Sequence, residues 1–506
     1  MLRSIHTSRF STLLVLLCLL ATAVPFHARA QDKSYLPYYS RDTVRAYRLA
    51  VTQRTAVKTH FVVPKTGSSE YRDHYRKVVK EASDDVFNSI RYSALLDPEV
   101  EPFAQRVFGR ILQANPQLPA TVRLVLTRNP KPNAHAVGDG TVILNLGLLP
   151  RLENESQLAF VLCHELAHVA RRHMENGLQE HLTAVHSKEM KREFRRIIDS
   201  EYNIGSQIKA LALGFSLNSS YHRRQFEREA DSLGYVLLAR TPYEAPQAYR
   251  ALQLLDTIDE PENAGPVLLA DYFSCADFSR SFGSMPVKAT SIFTVKAAEK
   301  TVLETTDTLK SHPDCGKRMR FVRALAQGRV AEGPQAPSTP EFSRIRSISR
   351  LEIIQSWFDY GCYDHALFEA LQLLPQHPQN HYLRSVVVLS LYELRQHLKD
   401  HTYTEVVSTI TPSQPANFTA LLRALYELRY DDFAALSACF AQAAGIAAPA
   451  DEFTLAARYA ATALAPAPDA TALATLRTQY QRQYPDGRLE KLLFPAPRPK
   501  AGAGRR

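Results

Sequence analysis

Apolar residues recur at three- and four-residue spacing through most of the chain, and two short stretches of another kind interrupt them in its first third. Tyr71 to Ile90 and Pro98 to Leu112 carry apolar residues at helical period among charges, which predicts two packing helices. Thr121 to Thr127 and Thr141 to Leu146 are short and rich in β-branched residues. Asn129-Pro130, Pro132-Asn133 and Gly138-Asp139-Gly140 punctuate the interval between them, so both read as strands of one small sheet. Ala134-His135-Ala136-Val137 fits a further extended segment at the sheet edge. Glu153 to Gly177 predicts a single helix with a core stripe of Leu158, Leu162, Leu166 and Val169, closed by Gly177. The charged run Glu189 to Arg196 reads as a solvated helix face, and Ile204 to Leu217 as helix that is more buried. A long irregular stretch, Glu260 to Lys310, has the length of a lid over a cleft and precedes a helix expected over Asp314 to Leu325.

Gly328 to Pro340 has the composition of a linker, and the pattern changes after it. From Phe342 to Leu493 nearly every segment is helical in period. Trp357, Gly361, Tyr363, Ala366 and Pro378 fall at offsets resembling a tetratricopeptide repeat, and about four helical hairpins fit the span. Such arrays stack into a curved groove that holds a protein or peptide, while an irregular helical bundle is the other architecture this pattern allows.

Composition narrows the function. A chain of 506 residues, 45% of them hydrophobic, can bury cores for several domains. Its net charge of +10 comes from basic residues scattered among acids and not gathered with aromatics into a stripe, which argues against nucleic acid. Arg3 and Arg9 precede the apolar run Leu13 to Ala23, and Ala28-Arg29-Ala30 precedes Gln31, the pattern of a signal peptide cleaved after about Ala30. No later stretch is apolar enough to span a bilayer. The expected compartment is the periplasm. There Cys275 and Cys315, which bracket an irregular region, are candidates for a disulfide, whereas Cys163 is expected to be a small core residue.

The chemistry centres on His164-Glu165-Leu166-Ala167-His168. At about 100° per residue the two histidines lie on one helical face, where two imidazoles can grip one ion. Glu165 beside them can take a proton from metal-bound water. A string of this kind arises by chance in roughly three such chains in a hundred, so its surroundings must decide. They do so at Glu227 and Asp231, four residues apart on a predicted helix: Glu227 can complete the protein ligands while Asp231 holds a ligand histidine from behind. His173 is too early for the longer three-histidine motif, since Arg171 stands where that motif has Gly, and is left as a helix-end residue or one standing behind the ligands.

His164-Glu-Leu-Ala-His168, Glu227-Arg-Glu-Ala-Asp231, Asn133-Ala134-His135-Ala136 with Gly147-Leu148-Leu149, and Ser311-His312-Pro313 with Arg318 together resemble the HtpX-like and BepA-like gluzincin metallopeptidases over about Leu118 to Leu325. The resemblance implies one Zn2+ per chain on His164, His168 and Glu227, with Glu165 as general base and acid. It also implies a mostly helical domain whose small sheet aligns the substrate along Asn133, Ala134, His135 and Ala136, where His135 replaces the family's usual aromatic. His312 and Arg318 are candidates for a fourth ligand or a transition-state stabiliser; the alternatives are, for His312, simply the turn that starts a helix and, for Arg318, a partner for an acid or carbonyl nearby.

The resulting expectation is a mostly α protein with a small β-sheet, a zincin-type metalloprotease domain followed by an α-solenoid of tetratricopeptide-like hairpins. Its segments are a signal peptide (1–30), a lead-in (31–65), the metalloprotease domain (66–327), a linker (328–341), the repeats (342–494) and a disordered tail (495–506). The expected activity is zinc-dependent endoproteolysis of unfolded or misassembled envelope proteins, with polypeptide partners held by the repeats. A chaperone or assembly scaffold with a latent or structural zinc is the alternative.

Overall fold

A computed structural model describes residues 35–39, 42–198, 224–258, 269–276, 278, 315–333, 339–411 and 414–495. The expected signal peptide, the helix at Ile204 to Leu217, most of the expected lid, His312 and residues 496–506 of the expected tail lie outside them. The chain divides into two compact units, one of Tyr38–Ala264 with Ser284–Ser356, the other of Met1–Pro37, Gly265–Gly283 and Trp357–Arg506.

The first unit begins with three helices, α1 (Thr43–His60), α2 (Ser69–Ser93) and α3 (Val100–Ala114). The expected lead-in thus contains a helix. Asp42 caps it by accepting from the Arg45 N–H, and it buries only Ala50, Gln53 and Val57, which explains why no apolar stripe announced it. The sheet follows, with β1 (Arg123–Thr127), β2 (Ala134–Ala136) and β3 (Thr141–Asn145) in the order β1-β3-β2. β1 runs parallel to β3, and β2 pairs antiparallel with it in the register Ala134 to Leu144, His135 to Ile143 and Ala136 to Val142. The segment expected at the edge is therefore an edge strand.

The helix expected over Glu153 to Gly177 is two helices, α4 (Glu155–Ala170) and α5 (His173–Val185). Asn154 caps α4 through the Gln157 N–H. Arg172 between them adopts the left-handed conformation with φ 56°, and the Arg171 and Arg172 N–H groups close the last turn onto Ala167 and Val169. Gly177 is accordingly inside α5 and ends nothing. α4 is buried nearly all round. After α6 (Lys188–Ile198) come α7 (residues 224–239), α8 (Gln247–Asp256), α9 (Cys315–Leu325) and α10 (Pro340–Asp359). α8 packs on both α4 and α9. One core gathers Phe103, Leu144, Leu162, Leu166, Ala230, Leu252 and Val322.

Two expected boundaries move. α10 starts inside the expected linker, and its Phe342 and Ile345 join this same core while Arg344 makes a two-bond pair with Glu99 at 2.6 and 2.8 Å. The division between units accordingly follows Ser356, not residue 341. Residues 265–283 also leave the expected metalloprotease domain. The helix Leu269–Phe273 packs on Asp432–Ala443, with the Phe273 and Phe440 rings 6.2 Å apart, and Cys275 is disulfide-bonded to Cys439 rather than to Cys315. Cys315 is a buried thiol, as is Cys163.

In the second unit the helix His381–Lys399 is buried almost continuously from Tyr382 to Arg395. It packs on Tyr363–Leu373, Tyr403–Val406, Asp432–Ala443 and Glu452–Leu464. Contacts in a linear repeat array stay between neighbouring hairpins, so this helix, meeting elements far along the chain, acts as a common core.

Candidate metal centre

α4 and α7 build the site. Three side chains converge between them, and ligand atoms of His164, His168 and Glu227 all lie within 4.8 Å of one another. The two Nε2 atoms are 3.1 Å apart, with Glu227 Oε2 3.4 Å from that of His164 and Oε1 3.5 Å from that of His168. Gly234 makes the approach possible. A Cβ there would stand 3.0 Å from the His164 Cα, so α7 could not lie so close to α4.

Burial pushes the His164 imidazole down, but its hydrogen bonds to Asp231 and Glu227 more than reverse it, lift the group to about 9 and favour the form with a proton on the nitrogen that faces His168. A metal bound by the same nitrogen must displace this proton. Two imidazoles and one carboxylate are a donor set suited to zinc, with a position left open.

Behind the cluster the charges are tightly paired. Asp231 Oδ1 lies 3.1 Å from His164 Nδ1, and Arg318 donates to both Asp231 oxygens from Nε and Nη2 at 2.8 and 2.7 Å. Its Nη1 stands 2.9 Å from Glu227 Oε2. Burial alone would raise the Asp231 carboxyl, but Arg318 and His164 hold it below its ordinary value. Arg318 is 5% exposed, with Nε and Nη2 bonded to Asp231 and Nη1 within ion-pair distance of Glu227. Its pairing with an acid was the part legible in sequence. His312 lies outside the described residues.

Glu165 joins the cluster to the sheet. It is 3% exposed, and its Oε2 accepts from the Ala136 N–H of the edge strand at 2.9 Å. Ala134 and Ala136 are buried, the His135 side chain is exposed, and the Asn133 carbonyl accepts from the Asn145 N–H. Cys163 is fully buried with its thiol pushed up by burial, as befits a core residue.

One contact is more definite than the sequence suggested. His173 is buried, with Nδ1 2.9 Å from His168 Nδ1 and Nε2 3.2 Å from Glu229 Oε2, and its ring stacks on Phe226 with centroids 4.5 Å apart. Burial holds this imidazole below its ordinary value.

Residues 97–326 match the model of peptidase family M48. Among curated proteins, the mitochondrial metalloendopeptidase OMA1 of Schizosaccharomyces pombe is 27% identical over 188 residues, covering 36% of this chain and 49% of that one. A putative beta-barrel assembly-enhancing protease of Vibrio cholerae is 27% identical over 162 residues, 31% of this chain and 33% of its own. The beta-barrel assembly-enhancing protease of Escherichia coli is 29% identical over 102 residues, 20% and 21% of the two chains. The chain thus spans half or less of the length of these relatives. The family match ends at residue 326, before α10 and the second unit's helices from Tyr363 onward.

Proposed function

Because residues 97–326 match peptidase family M48, we propose that this chain is a zinc-dependent endopeptidase of that kind in which His164, His168 and Glu227 hold the metal and Glu165 is the general base and acid. The observation that carries this reading is the bond from the Ala136 N–H to Glu165 Oε2, which sets a carboxylate between the ligand cluster and a sheet edge. Zinc in such a site supplies Lewis acidity, acidifying water and polarising a carbonyl. Glu165 receives the proton of the attacking water and passes it to the leaving amine. Asp231 fixes the His164 ring through Nδ1, and Arg318 pairs with both Asp231 and Glu227.

An extended substrate adds as a strand to β2, so main-chain bonding aligns it with little demand on sequence. That geometry suits unfolded polypeptide. The names of the Vibrio and Escherichia relatives, with the signal-like first thirty residues, favour unfolded or misassembled envelope proteins in the periplasm as substrates, and the second unit's helices as the part that holds them or their partners. No described helix is long and apolar enough to cross a membrane. A scaffold with a purely structural metal has no use for Glu165 at this position.

Glu165→Gln is the test. The variant is expected to retain metal and to lose cleavage of casein by at least about a hundredfold, the size expected for a lost general base. Equal cleavage by both forms removes the enzyme assignment, and cleavage by neither favours a scaffold.

A further inference from the structure

We propose that His173 and Glu229 are positioning residues that fix the nitrogen through which His168 meets the metal, an inference that rests on reading His164, His168 and Glu227 as a metal site. A neutral imidazole carries one N–H and one lone pair, so the partner at one nitrogen decides what the other can do. His168 turns Nε2 toward His164 and Glu227. For that atom to offer a lone pair, Nδ1 must carry the proton, and His173 Nδ1 meets it at 2.9 Å. An accepting Nδ1 in turn puts the His173 proton on Nε2, where Glu229 Oε2 lies at 3.2 Å. A carboxylate can only accept here. The order of protons is therefore set from the Glu229 end, and the chain Glu229, His173, His168 admits one arrangement that leaves a lone pair on the ligand atom.

The fold holds this chain in place. Residues five apart on an unbroken helix point about 140° away from each other, so His173 would face away from His168 if α4 simply continued. The left-handed Arg172 ends α4 and restarts the chain as α5, bringing the two rings together. Phe226 of α7 fixes the His173 plane by stacking, with 16° between the rings, and Gln225 donates to the other Glu229 oxygen at 3.0 Å. The two imidazole ligands are thus held differently: His164 directly by a fully buried carboxylate, and His168 through an imidazole to a carboxylate 42% exposed.

The test is Zn2+ affinity of the full chain, measured by competition with a chromophoric chelator, together with the visible spectrum of the Co2+-loaded protein. His173→Phe keeps a ring against Phe226 but removes both nitrogens, and is expected to lose about ten- to a hundredfold in affinity and to shift the Co2+ bands. His173→Gln, whose amide can accept from His168 and donate to Glu229, is expected to recover most of the loss. Glu229→Ala, at a partly exposed position, is expected to lose severalfold and decides the matter alone should His173→Phe not fold. If His168→Ala binds Zn2+ like the unsubstituted protein, the metal-site reading itself fails. If His168→Ala loses the metal while His173→Phe and Glu229→Ala keep the original affinity and spectrum, only the positioning role is overturned.

Discussion

The two units bury ionisable groups in opposite ways. In the first, His164, Glu227, Asp231 and Arg318 are each at most 7% exposed and compensate one another through ion pairs of 2.7 to 3.4 Å. In the second, Glu393 on the helix His381–Lys399 is 7% exposed with the Tyr363 hydroxyl beside it, and burial pushes its carboxyl up to about 8. A charge cluster survives burial only when every member is present, whereas a lone acid survives by keeping its proton. The first arrangement should be brittle to substitution and the second sensitive to pH.

Arg318→Met is expected to give the largest effect, because it leaves Asp231 and Glu227 buried without their cation. A loss of about 3–5 kcal/mol in denaturant unfolding, with loss of bound metal, is the expected outcome. Stability within about 0.5 kcal/mol of the original would mean that the cluster is not compensating itself.

Glu393→Gln addresses the other half of the comparison. The folded-state value of about 8 lies above the ordinary 4.5, so the folded protein holds a proton that the unfolded chain has released between those values. Its stabilising effect is complete below pH 4.5 and is lost as pH rises through 8. The substitution should therefore leave stability at pH 4 nearly unchanged, raise it by on the order of a few kcal/mol at pH 9, and flatten the profile between. An unaltered profile would place the titrating group elsewhere.

Gly234→Ala should have the smallest effect on stability and separates geometry from stability. Alanine favours a helix by about 1 kcal/mol over glycine, while crowding at the His164 backbone costs about as much or more. The melting temperature should change little, and Zn2+ affinity should fall because α7 carries Glu227 and Asp231 away from α4. Unchanged affinity would show that the two helices can part without opening the site.

Much of the candidate site was legible because its residues sit at helical intervals that mean the same thing in any context. His164 and His168 share a face of α4, Glu227 and Asp231 a face of α7, and the turn residues on either side of Ala134 to Val137 set it apart as an extended segment. What stayed hidden depends on tertiary contact. Nothing in the sequence around Arg172 announces a left-handed residue, so His173 could not be seen to face His168. Helical period continues across residue 341 whichever core the helix joins, so Phe342 and Ile345 looked like the start of the next domain. Cys275 finds Cys439 at a sequence separation of 164, a pairing that local irregularity could not suggest.

That disulfide has a topological consequence. The chain enters the first unit at Tyr38, leaves it after Ala264, returns at Ser284 and leaves again at Trp357, so the two units are joined by four crossings of the backbone and not by one linker. A single break near the expected linker would leave two fragments still covalently one molecule in oxidising surroundings, and two separable molecules in reducing ones. The units are consequently not interchangeable modules: either one, copied as an uninterrupted stretch of sequence, would be missing a piece of itself.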